Sequence, residues 1–263
     1  MTGLRYVYAV CGPFDTAALR TRLTGIAGAP PELLEHRGLF AVVGPVPEED
    51  FAEEPLRRRL EDLDWLTVTA RAHQSVIDAL TAVTTPLPLR LATVFRDDDG
   101  VRAMMEERGD GFRRALDRLD GRVEWGVKVF LEKAEEADEE SVSSSASSAS
   151  SAITGRDYLR QRRRRARMNE DRWQRAEMFA SELHRVLSGR AEDCRLHAPQ
   201  NSALSGATGQ NVLNAAYLVA RGDSEEFVEL VDRTKSDPDA ATSGLRVELT
   251  GPWAVYSFTG EDA

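Results

Sequence analysis

The chain reads as an α+β protein: two tandem ferredoxin-like (βαββαβ) domains joined by a helix and followed by a C-terminal aromatic tail. Three observations predict this. The order strand, helix, two strands, helix, strand occurs between Leu4 and Phe95 and returns between Val123 and Thr250. An amphipathic segment over residues 97–121 separates the two runs. The last stretch, LTGPWAVYSFTGEDA, places Trp253, Tyr256 and Phe258 behind a Gly-Pro, where chain ends ordinarily fray into polar residues. The expected division is a domain at 1–96, a connecting helix at 97–121, and a domain at 122–263 that carries a Ser-rich loop (133–155) and the tail (251–263).

In the first half, LRYVYAVC is rich in Val and Tyr and predicts a strand over Leu4 to Cys11 that Pro13 ends. Asp15 can cap a helix with Ala18, Leu19, Leu23 and Ile26 on one face, stopped by GAPP. LLEHR and GLFAVVGPV are extended pieces joined closely enough at Gly38 for a hairpin. A short charged helix around EEPLRRRLEDL leads into a longer one in which Val76, Ile77, Leu80 and Val83 keep helical spacing, and PLPLRLATVF returns as a strand.

RDDDG opens the next helix. Val101, Met104, Met105, Phe112, Leu116 and Leu119 share one face, and Gly109 with Gly111 should interrupt it. VEWGVKVF is the first strand of the second half. After it, EKAEEADEE and SVSSSASSASSA have no periodicity and too little apolar surface to order themselves, which predicts a disordered loop. A long helix then runs from Arg156 to Leu187, with Trp173, Ala176, Phe179, Ala180, Leu183 and Leu187 on one stripe. CRLHA and VLNAAYLVA read as strands, GDSEEFVELVDR as a helix with Asp223 as N-cap and Glu226 completing a variant capping box, and LRVELT as the last strand.

Composition limits the function classes. With 263 residues and 41% hydrophobic content the chain can build globular cores, and no apolar run approaches the roughly 18 residues of a membrane span. MTGLRYVYAV has neither the basic start nor the apolar stretch of a signal peptide, which predicts a cytoplasmic protein. Cys11 and Cys194 form no CxxC and read as small apolar side chains. The net charge of −10 argues against nucleic acid as the main partner.

No residue pattern advertises catalysis, a cofactor or a metal. His36, His73, His184 and His197 fall on different predicted elements without ligand spacing. In DDDG, Asp97 to Gly100, the twelfth position of a calcium loop would be Arg108, so a helix start explains it better. SGATGQN lacks the Lys-Ser/Thr of a phosphate loop and precedes a strand; a hairpin connection fits it. One charge feature stands out: Arg156 to Arg167 holds seven Arg against one Asp, while Glu132 to Glu140 holds six acids against Lys133. It reads either as the helix of an RNA-binding or regulatory module, taking RNA or another anionic partner, or as a solvated face partly neutralised by the chain's own acids. The missing aromatic RNP pattern and the negative net charge favour the second reading.

Several segments together resemble the gas vesicle GvpL/GvpF family: YVYAV, LPLRLATVF, VEWGVKVF, GRDYL, VLNAAYLV and GPWAVYSF, in family order and across nearly the whole chain. The sequence departs from the family pattern at Leu91 and Ala92, where an aromatic and a glycine are expected, and in the serine tract, which looks like an insertion. The resemblance implies a non-enzymatic accessory or minor structural protein of gas vesicles, the hollow protein-walled buoyancy organelles of microbes. It implies an N-terminal domain of modified ferredoxin-like fold and a second α+β domain. It also implies binding to the small hydrophobic shell protein, and to other accessory proteins, during assembly initiation or at the gas-facing surface. Trp253, Tyr256 and Phe258 are the candidate partner-binding residues. The favoured alternative is that they pack on their own domain, because exposed aromatic patches are uncommon on soluble proteins, and then Trp253→Ala should cost roughly 3 to 5 kcal/mol.

Overall fold

A computed structural model of the chain describes residues 3–15, 23–132, 155–199, 209–236 and 244–260. It has a mixed α/β fold with two antiparallel sheets. Two compact units form: Met1–Trp125 with Leu218–Gly222 and Gly251–Ala263, and Gly126–Tyr217 with Asp223–Thr250. The serine tract and most of the helix expected after Asp15 lie outside the described residues, as does SGAT of the SGATGQN connection.

In the first unit, β1 (Leu4–Cys11) is the central strand of a sheet of order β2-β3-β1-β4, with β5 also paired to β1. β2 (Glu32–His36) and β3 (Leu39–Val46) form the predicted hairpin, and the turn residues Arg37 and Gly38 both take positive φ, 51° and 78°. That backbone matches the strand twist, and glycine adopts it without steric cost. Tyr6 to Cys11 are all buried, so both faces of β1 are covered. Against one face, α3 (Leu63–Thr81) sets Val76, Ile77 and Leu80 beside Tyr6, Tyr8, Ala9 and Cys11. Two short helices, α1 (Glu48–Phe51) and α2 (Glu53–Arg59), lead into it.

α4 (Asp98–Glu107) lies against β1, β2 and β3, and α5 (Gly109–Leu119) against β4. Asp97 starts α4 by accepting the Gly100 N–H at 2.8 Å, which gives RDDDG its structural role. The break before Gly109 falls where the sequence expects it, and Val101, Met104, Met105, Phe112, Leu116 and Leu119 are buried.

PLPLRLATVF is not one strand. It forms β4 (Leu87–Pro88) and β5 (Val94–Phe95), both antiparallel to β1, with Arg90–Thr93 arched between them. Leu89 N–H still donates to Tyr8 O, and Val7 N–H to Thr93 O, each at 2.9 Å, so pairing resumes on both sides of the arch. Ala92 sits at φ 66°, the position where the sequence departs from an expected glycine. Ile26 belongs to a 3-10 turn, Ile26–Gly28, rather than to an α-helix.

The second unit is built on a sheet of order β7-β8-β6-β9: β6 (Arg122–Leu131), β7 (Asp193–Leu196), β8 (Gln210–Ala220) and β9 (Leu245–Trp253). The parts of β6, β8 and β9 that fall in 122–125, 218–220 and 251–253 count with the first unit. α6 (Gly155–Ser188) buries Ala176, Ala180, Leu183 and Leu187 at helical spacing, the second-half stripe read from the sequence. His184 Nδ1 lies 2.8 Å from the Tyr217 hydroxyl, and the Tyr217 ring packs on Phe227 of α7 (Ser224–Lys235). Asp223 precedes α7 but its side chain makes no capping bond, so the expected capping box does not form. Asp223 already has helical backbone angles (φ −98°, ψ 0°) and closes a 3-10 turn, Arg221–Asp223.

Candidate functional site: the C-terminal aromatic segment

β9 is an edge strand and runs straight through Gly251 and Pro252 to Trp253. The edge tolerates Pro252, whose nitrogen has no hydrogen to donate to a neighbour. Gly251 is dictated by crowding as well as conformation: at φ 128°, a Cβ there would meet Glu124 O at 2.9 Å and the Trp125 ring at 3.0 Å. The peptide joining Gly251 to Pro252 is cis.

Beyond the strand the segment turns onto the first unit. Ala254 joins the core cluster of Tyr6, Tyr8, Val42, Phe51 and Leu80, Val255 is buried beside it in sequence, and a 3-10 turn at Tyr256–Phe258 brings the Phe258 ring to 0% exposure. Polar bonds hold this turn. The buried Glu124 carboxylate accepts the Ser257 N–H at 2.8 Å and the Ser257 hydroxyl at 2.7 Å, and the Arg118 guanidinium donates to Phe258 O.

The three aromatics therefore separate. Phe258 faces the core, whereas Trp253 and Tyr256 stay 39% and 37% exposed. Tyr256 is half-seated: its ring centroid is 6.5 Å from that of His73, and its hydroxyl donates to Gln74 Oε1 at 3.4 Å. Desolvation on this inner side pushes the Tyr256 phenol up, with the negative charges of Asp78 and Glu124 adding to it.

Under Tyr256 lies a polar pair inside the core. Tyr6 Oη accepts the Ala92 N–H at 3.1 Å and lies 2.9 Å from His73 Nδ1. Among the described residues His73 Nε2 has no hydrogen-bond partner, and burial pulls the His73 pKa down to about 4. Burial also pushes the Cys11 thiol up to about 12, leaving it an inert core side chain. No sequence pattern signals the Glu124–Ser257 clamp; a lone acid in VEWGVKVF looks like strand surface.

The remaining histidines are dispersed. His36 pairs with Glu106 at 3.0 Å, and His184 meets Tyr217. In the second unit His197 and His184 line a cavity of about 410 Å³ with Leu196, Leu213 and Asn214. Among the described residues no cluster of three or more His, Cys, Asp or Glu is placed to hold a metal ion, and no helix is long and apolar enough to cross a membrane.

The family model for gas vesicle synthesis protein GvpL/GvpF matches residues 4–260, from the first residue of β1 to the end of the aromatic segment. The chain belongs to the GvpL/GvpF family. It is 56% identical over 257 residues to gas vesicle protein L of Streptomyces sp. (strain CB03234), covering 98% of this chain and 93% of that one. Gas vesicle protein F of the same strain is 28% identical over 260 residues, covering 96% and 98%. The fold of this GvpL/GvpF member is similar to the crystal structure of GvpF from Anabaena sp. PCC7120, with a TM-score of 0.67 at 17% identity over 98% of each chain. GvpF from Microcystis aeruginosa gives a TM-score of 0.63 at 18% identity, covering 98% and 99%.

Proposed function

We propose that this GvpL/GvpF protein acts without catalysis as an adaptor in gas vesicle assembly, and binds the small hydrophobic shell protein through Trp253 and Tyr256. One observation carries the reading. The two aromatics hold apolar surface outward from a segment whose Ala254, Val255 and Phe258 are buried and whose Ser257 is fixed by Glu124. A rigid base lowers the entropy lost on docking, and exposed Trp and Tyr commonly dominate interface energies. Phe258 supplies the base and not the contact. On this reading the protein acts during shell assembly or at the gas-facing surface, with other accessory proteins as further partners.

The same reading takes both halves as ferredoxin-like. Support comes from strand order: β2-β3-β1-β4 and β7-β8-β6-β9 each place the second, third, first and fourth strands of their half side by side, counting β4 as the fourth strand of the first half.

Co-expression with the shell protein followed by affinity capture tests the adaptor. A Trp253→Ala, Tyr256→Ala double variant should lose most of the captured shell protein while keeping its melting temperature within a few degrees. Capture unchanged by the double variant moves the contact elsewhere, and no association of the unaltered chain with any vesicle component removes the reading.

A further inference from the structure

α6 divides into two unlike halves. From Ala176 to Leu187 it packs on its own unit, but every described side chain from Leu159 to Asp171 is exposed. Residues 155–171 thus make a helical arm about 25 Å long at 1.5 Å per residue. Arg160, Arg163, Arg164 and Arg167 recur on it at i, i+3, i+4 and i+7, one stripe of four guanidinium groups, with Glu170 and Asp171 closing its C-terminal end. Like charges at these spacings repel and weaken the helix that carries them.

Several helical cations elsewhere in the chain do have an acid at helical spacing. Arg57 pairs with Glu53 and Glu54, Arg102 with Asp99, Arg113 with Asp110, Arg185 with Glu182, and Lys235 with Asp232, all at i−3 or i−4. Among the described residues none of Arg160, Arg163, Arg164 and Arg167 has an ion-pair partner. The four cations of the stripe lie together on a stretch of helix whose described side chains are all exposed.

We propose that this stripe is a docking surface for a carboxylate-rich helix of another protein, with acids at matching i, i+3, i+4 and i+7 positions. Guanidinium forks pair carboxylates bidentately, and four in register set orientation as well as attraction. Nucleic acid fits less well. The chain's net charge is −10, and among the strand aromatics that could stack bases Tyr6, Tyr8, Trp125, Phe130 and Tyr217 are buried.

The test uses the full chain and two synthetic helical peptides of identical composition, one with Glu on a single i, i+3, i+4, i+7 stripe and one scrambled, read by fluorescence anisotropy. The striped peptide should bind more tightly than the scrambled one, and binding should weaken with salt. Replacing Arg160, Arg163, Arg164 and Arg167 by Gln should weaken it about tenfold or more, with Arg162→Gln, Arg165→Gln doing far less and neither set lowering the melting temperature. Equal binding of both peptides, or equal effects of both Arg sets, reduces the arm to a solvated basic face and overturns the proposal. Tighter binding of poly(U) than of the striped peptide overturns it in favour of RNA. Salt-sensitive self-association abolished by the four-Arg variant would assign the stripe to a second copy. Peptide binding that appears only after Glu135, Glu136, Asp138, Glu139 and Glu140 are neutralised would assign it to the chain's own acids.

Discussion

The Glu124 carboxylate grips Ser257, 133 residues away, by two hydrogen bonds, one to the backbone N–H at 2.8 Å and one to the hydroxyl at 2.7 Å. This clamp fixes the turn that separates the exposed Trp253 and Tyr256 from the buried Phe258, and its strength is measurable. Glu124→Gln removes the charge and turns an amide N–H toward a donor, so unfolding free energy should fall by about 1 to 3 kcal/mol. Limited proteolysis should then cut the C-terminal segment faster than the rest of the first unit. A Glu124→Gln protein with unaltered stability and cleavage would mean the clamp contributes nothing.

The two kinds of tail aromatic should behave oppositely in denaturation. Phe258→Ala empties a fully buried ring site and should cost about 3 to 5 kcal/mol. Trp253→Ala, at a side chain more than a third exposed, should cost under about 1.5 kcal/mol, well below the cost at a fully packed ring. Urea titration of the two variants side by side checks the order.

Acid should loosen the first unit through His73. Its folded pKa lies at about 4 because burial disfavours the imidazolium, against an ordinary 6.5 in the unfolded chain. Between these values the unfolded chain takes up a proton that the folded one refuses. The His73 contribution is therefore whole above pH 6.5 and is lost as pH falls toward 4, by up to about 3 kcal/mol. Subtracting the pH profile of a His73→Gln variant from that of the unaltered chain isolates this slope; parallel profiles would show that His73 does not titrate in that window.

Ala92 stands in the left-handed region at φ 66°, and its N–H donates to Tyr6 Oη. Glycine takes this conformation freely, while any Cβ pays about 1 kcal/mol or more. Ala92→Gly should therefore leave the melting temperature unchanged or raise it, in contrast to the usual loss on introducing glycine, and differential scanning calorimetry reads the sign directly.

Much of this architecture is local chemistry and so legible in the sequence. The hairpin at Gly38, the helix start at Asp97, the interruption at Gly109 and the stripe of Ala176, Ala180, Leu183 and Leu187 each depend on residues a few positions apart, where φ/ψ preference, capping and periodicity act. The family segments, from YVYAV to GPWAVYSF, were legible for the same reason. Tertiary structure decided the rest. The break in PLPLRLATVF arises because Tyr6 Oη, 86 residues earlier, claims the Ala92 N–H and the chain arches to deliver it. The choice of Phe258 over Trp253 as the buried ring follows from the Gly251 approach to Glu124 and Trp125 and from the Ser257 clamp, contacts across more than a hundred residues. Burial is set by what lies opposite in space, and a sequence pattern names the aromatics of a segment without saying which of them the core will take.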